Sequence, residues 1–317
     1  MRIDSFSYFN SSLPGIRENQ QAISRLNQQI ATGKAFLAPK DDPLATEKIL
    51  QLSNRVAVRS QFASNQDRAT IGLSYESTVL AEMRKTLEDA HDLISGVSPS
   101  HDSGLRDTIS QQLRSVTRHL LSLANTQDPQ GNYIFAGEAT TTVPYAHPLD
   151  GTAVATTYNG SPLLPNAAAP DGQTGPGGSR WLEVDTGRYV RVNDNVDSVF
   201  QTGTANDLLQ QLDDAVATIP GAALTVADIA GWTSLLNSAL TNLDNISHRV
   251  AAAYGEVEDV RTTTNALLLL EKNALGDIQQ VDQASAIVEL QLRQTSLEAA
   301  ERAYARTAGL TLFNFLG

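Results

Sequence analysis

Trp232, Leu236, Ala239, Leu243, Ile246, Val250, Ala253, Val257, Val260, Thr264 and Leu267 follow one another by four and three residues in strict alternation. An α-helix turns once in about 3.6 residues, so a stripe repeating every 3.5 stays on one side only if the helix coils along a partner. The same phase continues through Glu271, Ala274, Ile278, Val281, Ser285, Val288, Leu292, Thr295 and Ala299. Just upstream, Thr225-x-x-Asp228 is an acidic capping box that marks where this helix starts. Gly255 and Gly276 are soft points; Gly276-Asp277 is the expected break, with Asp282 able to start a new helix.

The N-terminal half answers with helices of its own. Residues 14–32 place Ile16, Ile23, Leu26 and Ile30 on one face, and Gly33 and Pro39 end the segment. In Lys40-Asp41-Asp42-Pro43, Asp42 can accept backbone N–H bonds as an N-cap. Pro43 then occupies the first helical position, where its missing N–H costs nothing. Ile49, Leu52, Val56, Ala63, Thr70, Leu73, Ser77, Leu80, Leu87 and Ile94 predict a second helix running to Gly96. At about 1.5 Å per residue it spans roughly 80 Å, more than most compact domains can hold. A third helix is predicted from Ser103, with Leu105, Ile109, Leu113, Val116, Leu120 and Leu123 as its stripe and Asp128-Pro129 as its stop. The short link between these two helices favours antiparallel neighbours.

At Gly131 the composition shifts to Gly, Pro, Thr and Val. Tyr133–Phe135 predicts a short strand, and Ala155–Tyr158 another, followed by the tight-turn pair Asn159-Gly160. Trp181–Val184 and Tyr189–Val192 flank Asp185-Thr186-Gly187-Arg188 and predict a hairpin. Pro162–Gly178 has no periodicity and is expected to be a loop. Leu208, Leu209, Leu212, Ala215, Val216 and Ile219 form a short helix closed by Pro220-Gly221. The expected fold is mainly α with a β-rich insert, its long-helix coiled-coil or bundle frame built from N- and C-terminal segments. The organisation is nested: terminal helices in 1–40 and 277–317, a long-helix bundle in 41–130 and 204–276, and a β-rich domain in 131–203.

Composition narrows the function. Of 317 residues 41% are apolar and only 6% aromatic, which suits long helices with thin stripes. The net charge of −12 argues against nucleic acid as a partner, because phosphate binding needs a basic face. Residues 1–65 carry eight Lys/Arg against five Asp/Glu, whereas 131–217 carry three against ten, so the middle is an acidic, soluble surface. No cysteine is present, so neither disulfides nor thiolate metal sites arise. The polar start Met1-Arg2-Ile3-Asp4-Ser5 has no apolar stretch behind it and does not read as a secretory signal. The longest leucine run, Leu267–Leu270, is far too short for membrane insertion.

Catalytic patterns are missing or better explained otherwise. His91, His101, His119, His147 and His248 show no metal-ligand spacing. Asp185-Thr186-Gly187 matches the aspartic-protease tripeptide, but that chemistry needs two such carboxylates, and one copy between β-rich runs is a turn. Gly172–Gly178 contains Pro176 and opens no helix, and Gly33-Lys34 lacks the upstream glycine of a phosphate loop. Asn10, Asn159 and Asn245 stand in chance glycosylation sequons. No enzyme activity and no cofactor are expected.

The stripes in the middle helices are expected to be intramolecular core. Those at the two ends differ, since residues 14–32 and 282–305 each offer one thin stripe without obvious cover. Two amphipathic helices paired alone leave much apolar area wet. Ile16, Ile23, Leu26, Ile30, Val281, Val288, Leu292, Thr295 and Ala299 are therefore candidates for packing between subunits, with Asp41, Asp42 and Pro43 as the helix start beside them.

Several blocks resemble a known family. Leu121-Ser-Leu-Ala-Asn-Thr-Gln-Asp-Pro-Gln-Gly-Asn-Tyr-Ile-Phe-Ala-Gly137 closely resembles the flagellar hook-associated protein 3 family, the hook–filament junction proteins. So do Met1-Arg2-Ile3, Ala31-Thr32-Gly33-Lys34 through Lys40-Asp41-Asp42-Pro43, and the ending Gly309-Leu310-Thr311-Leu312-Phe313. The Tyr-Ile-Phe-Ala-Gly block is the specific one; the others are shared more widely with flagellins. The resemblance implies an extracellular protein of the bacterial flagellum, exported without a cleaved signal through the flagellar type III apparatus. It implies self-association in a tubular layer, with the termini inside and the insert outside. Its neighbours would be another hook-associated protein and flagellin, with an export chaperone on the C-terminal helix. A flagellin shares this nested plan, and a cytoplasmic coiled-coil scaffold shares the long stripes; both remain as alternatives.

Overall fold

The computed structural model describes residues 2–146, 157–159, 164–168, 174–177, 180–200 and 208–316, with side chains in the first helix described from Leu13 and in the last through Arg306. Seven helices are described: α1 (Arg2–Thr32), α2 (Pro43–Ser95), α3 (Ser103–Ala124), α4 (Asp197–Phe200), α5 (Leu208–Thr218), α6 (Val226–Gln279) and α7 (Gln283–Leu316). The strands are β1 (Tyr145–Ala146), β2 (Thr157–Tyr158), β3 (Leu164–Ala168), β4 (Thr174–Gly177), β5 (Trp181–Asp185) and β6 (Arg188–Arg191). The chain divides into two compact units, residues 1–58 with 266–317, and residues 59–265.

In the larger unit the core is a helical seam. On α6 the stripe from Trp232 to Thr264 is buried as its spacing predicts, except that Ala253 is only half-buried. The capping box at its start is reciprocal: Thr225 N–H and Oγ1–H donate to Asp228 Oδ2 at 2.9 and 2.7 Å, and Asp228 N–H donates to Thr225 Oγ1 at 3.2 Å. On α2 the buried line differs from the expected one. It runs Phe62, Gln66, Ala69, Leu73, Glu76, Leu80, Met83, Leu87, Ala90 and Ile94, again by four and three, while Ser77 is exposed. Apolarity alone could not find this line, because Gln66 and Glu76 hold two of its core positions. α3 starts on Asp102, whose Oδ1 accepts Leu105 N–H at 3.0 Å. It runs antiparallel to α2, with His119 opposite Glu82 at 3.6 Å and roughly equal lengths of helix back to the connecting loop. α5 packs on α3, and its Leu208, Leu209, Leu212 and Val216 close the core.

The α3 stop lies earlier than Asp128-Pro129: the helix ends at Ala124, and Asn125 caps it. The Asn125 amide then grips the next segment, donating to Tyr145 O and accepting Tyr145 N–H, both at 2.9 Å. Asp128 instead shapes the loop, its Oδ1 accepting the N–H groups of Gln130 and Asn132 at 2.9 Å around Gly131 at φ 85°. Tyr133–Phe135 is not a strand; a single bridge pairs Gln127 with Tyr133, and Phe135 turns fully into the core. β1 pairs with β2, and Tyr145 lies against Phe200 with ring centroids 4.7 Å apart. The β5–β6 hairpin forms where expected, with Gly187 at φ 69° in its turn, so Asp185-Thr186-Gly187 is structural. The expected loop 162–178 instead contains the antiparallel pair β3–β4. His147, Ala155, Gly160 and Gly172 lie outside the described residues.

The smaller unit pairs α1 with α7 and adds residues 43–58 of α2 and 266–279 of α6. α1 begins well before Pro14, which sits inside it at the cost of one intrahelical bond. α2 begins at Pro43 on an Asp42 cap, with Ala45 N–H donating to Asp42 Oδ1 at 2.9 Å. The break after α6 comes at Gln280, not Gly276, whose carbonyl still accepts Gln280 N–H at 2.8 Å. Asp282 caps α7 as its position predicts: its Oδ1 accepts Ala284 and Ser285 N–H at 3.0 and 3.2 Å.

Candidate assembly surface

The terminal helices are joined near their elbows. Val281 N–H donates to Gly33 O at 3.0 Å and Ala35 N–H to Gln279 O at 2.8 Å, around a Lys34–Gln280 bridge. Further out, Arg293 Nη1 donates to Asn19 Oδ1 at 3.3 Å, so α1 and α7 run antiparallel. Asp41 organises the α1–α2 elbow, its Oδ2 accepting Leu37 and Ala38 N–H at 3.1 and 3.0 Å while Arg25 stands 3.5 Å from its other oxygen. The Ala38 N–H foremost, then the Leu37 N–H and the Arg25 charge, hold its carboxyl below the usual range against the opposing effect of burial. Asp282 is held low by Ser285, first through its hydroxyl at 2.7 Å and then its N–H, and by Ala284 N–H, again against burial. Glu271 is 4% exposed on the α6 seam and is held by Arg55 at 2.7 Å.

The candidate residues fall into two sets. On α1, Leu26 is buried and Ile16, Ile23 and Ile30 are half-buried, on the Asn19 face that meets α7. On α7 the covered face is Ala286, Leu290, Arg293, Leu297, Ala300 and Tyr304, spaced by four and three. Val288, Leu292, Thr295 and Ala299 lie on the opposite side of that helix; Val288 is 66% and Leu292 68% exposed. Val281 is half-buried at the elbow. Asp41, Asp42 and Pro43 share the elbow on the α2 side.

Residues outside the candidate set extend the open apolar surface. Of the thirteen large apolar residues exposed among the described residues, eight belong to this smaller unit: Leu44, Leu50, Val58, Leu269, Leu270, Ile287, Val288 and Leu292. Its buried apolar residues among those described are only Leu26 and Ala286. A signal for part of this was in the sequence: the Leu267–Leu270 run must leave some leucines outside whichever side of the helix faces inward. Leu269 and Leu270 are those left out. An open set this dense in a unit with so small a core makes this surface a candidate for contact with a partner. Each such side chain moved from water into a helix seam gains about 1.5–3 kcal/mol, so a handful offsets the cost of association.

No cluster of three His, Asp or Glu side chains suited to a metal occurs among the described residues, and none of the described helices is long and apolar enough to cross a membrane.

Comparison with known proteins follows the same lines. Residues 7–140 match the bacterial flagellin N-terminal helical region. The chain is 25% identical to flagellar hook-associated protein 3 of Escherichia coli and 26% identical to that of Salmonella typhimurium, covering 99% of both partners in each case. A solved structure of a flagellar hook-associated protein from Vibrio parahaemolyticus is 19% identical, with a TM-score of 0.65, over 76% of this chain and all of that one. Along nearly its whole length the chain is thus similar to flagellar hook-associated protein 3, a structural component of the bacterial flagellum, and over residues 7–140 to the flagellin N-terminal helical region.

Proposed function

We propose that this protein is an adaptor at the hook–filament junction, self-associating in a thin tubular layer between a neighbouring hook-associated protein and the first flagellin subunits. The observation that carries this reading is the outward face of α7, where Val288 and Leu292 stand two-thirds exposed beside a nearly coreless unit. α1 and α7 line the tube, with neighbouring copies covering Val288, Leu292, Thr295 and Ala299. The Ile16, Ile23, Leu26 and Ile30 face joins α1 to α7 within each subunit. Before assembly the same face of α7 needs shielding, which is the task of an export chaperone on the C-terminal helix. The chain leaves the cell through the flagellar export route. Its role is mechanical, with no catalysis.

Val288→Asp and Leu292→Asp test this. Each should leave the purified chain folded and block its incorporation, since a charge buried at a helix seam costs several kcal/mol. Motility should be lost, and labelled parent protein should form one spot at the filament base. Normal incorporation of both variants would count against the reading. The flagellin alternative predicts unlimited growth when purified chain is added to filament seeds, whereas an adaptor stops at a thin layer.

A further inference from the structure

The larger unit holds a buried group of charges that assembly does not use. Glu76, on the α2 seam, is 2% exposed, and its Oε1 accepts Asp194 N–H at 3.0 Å. Asp194, 4% exposed, accepts the Arg191 guanidinium and, at 3.2 Å, that of Arg249. The charged groups facing Glu76 and Asp194 come from each packed element: Arg180 ahead of β5, Arg191 on β6 and Arg249 on α6. Arg180 has no hydrogen-bond partner on its Nε among the described residues. Asn193 Oδ1 accepts Arg180 N–H and closes the open end of the hairpin. Directly downstream, Val196, Val199 and Phe200 are fully buried. The hairpin thus meets α2 at two places: Asn65 and Gln66 donate to Glu183 O and Val184 O near its turn, at 2.8 and 2.7 Å, and beyond its open end Asp194 N–H donates to the Glu76 carboxyl group.

Glu76 is out of water and faces the Asp194 carboxylate, and both effects favour its protonated form. We propose that Glu76 and Asp194 form a proton-operated clasp holding the β5–β6 hairpin on α2, closed while Glu76 keeps its proton and loosened when the proton leaves. Burial first, and the Asp194 charge second, push the Glu76 carboxyl up to about 8, against the Asp194 N–H, Arg191 and Arg180. The folded value lies above the unfolded one of 4.5, so this contribution is complete below the unfolded value and is lost as pH rises through the folded one.

The chain has two tryptophans, and Trp181 opens β5. In full-length Trp232→Phe protein, Trp181 fluorescence followed from about pH 6 to about pH 9.5 reports the hairpin alone. The clasp gives a sigmoidal change centred near 8 that Glu76→Gln abolishes, because the amide mimics the protonated acid. Arg180→Gln removes an attraction for the ionised form and moves the midpoint up by roughly a few tenths of a unit. No transition in the parent, or the same transition in Glu76→Gln, overturns the clasp. Should Glu76→Gln fail to fold, an unmoved midpoint in Arg180→Gln overturns it instead.

Discussion

Val281 donates its backbone N–H to the carbonyl oxygen of Gly33 at 3.0 Å, joining two residues from opposite ends of the sequence. With the Ala35–Gln279 bond beside it, this makes a one-residue antiparallel bridge between the α1–α2 and α6–α7 elbows. The two terminal helices therefore leave the bridge as a pair. Gly33 reaches this geometry at φ 69°, in the left-handed region where a Cβ is costly.

Gly33→Ala isolates that conformational cost, since nothing lies within 4 Å of the added Cβ. We expect the smaller unit to lose about 1 kcal/mol. Hydrogen exchange at the Val281 amide should quicken roughly fivefold, while exchange in the α6 seam around Leu243 stays unchanged.

The two elbow carboxylates give a pH signature. Asp41 and Asp282 both titrate below their ordinary value of 3.8 in the folded chain. Their contribution is present above the unfolded value and is lost as pH falls through the lower folded one. Acid titration below about pH 4 should loosen the start of α7 and the α1–α2 elbow, and Asp282→Asn should weaken the dependence at Ala284 and Ser285. Circular dichroism with residue-level exchange reads both effects.

Gln66 joins three parts of the larger unit. Its Nε2 donates to Val184 O at 2.7 Å and to Thr264 Oγ1 at 2.9 Å, so the hairpin, α2 and α6 meet on one buried amide. Gln66→Leu keeps the volume but strands the Val184 carbonyl, at an expected loss of about 1–3 kcal/mol. Denaturant melts should show a lower midpoint with an unchanged slope.

Leucines on the two kinds of surface should behave oppositely. Leu87 is fully buried, and Leu87→Ala should cost about 2–5 kcal/mol. Leu292 is 68% exposed, so Leu292→Ala should leave monomer stability within about 0.5 kcal/mol while impairing assembly. Thermal melts beside an incorporation assay separate the two.

Much of the frame was legible because long helices repeat their signals. The α6 stripe, the Asp42-Pro43 start, the Asp282 cap and the Asp185–Arg188 turn all lie where spacing and capping chemistry put them. The α2 seam was not, since an apolar stripe passes over Gln66 and Glu76, whose burial rests on partners distant in sequence. The phase of α7 was lost at the elbow: the break at Gln280–Asp282 resets the rotation, so its covered face starts at Ala286 instead of Ser285. The β3–β4 pair was hidden because strands such as Leu164–Ala168 and Thr174–Gly177 are built of Pro, Gly and Ala, poor strand formers. The exposed Leu269 and Leu270 show that an open apolar patch is set by what the rest of the fold leaves uncovered.

The absence of cysteine allows a direct measurement of the assembly surface. Leu292→Cys supplies a single thiol on the outward face of α7, and maleimide labelling compares the free chain with the chain incorporated in isolated flagella. We predict rapid labelling of the free protein and protection once incorporated, with Ile71→Cys as a reference outside the smaller unit. Equal and rapid labelling of Leu292→Cys in both states would contradict burial of that face by neighbouring subunits.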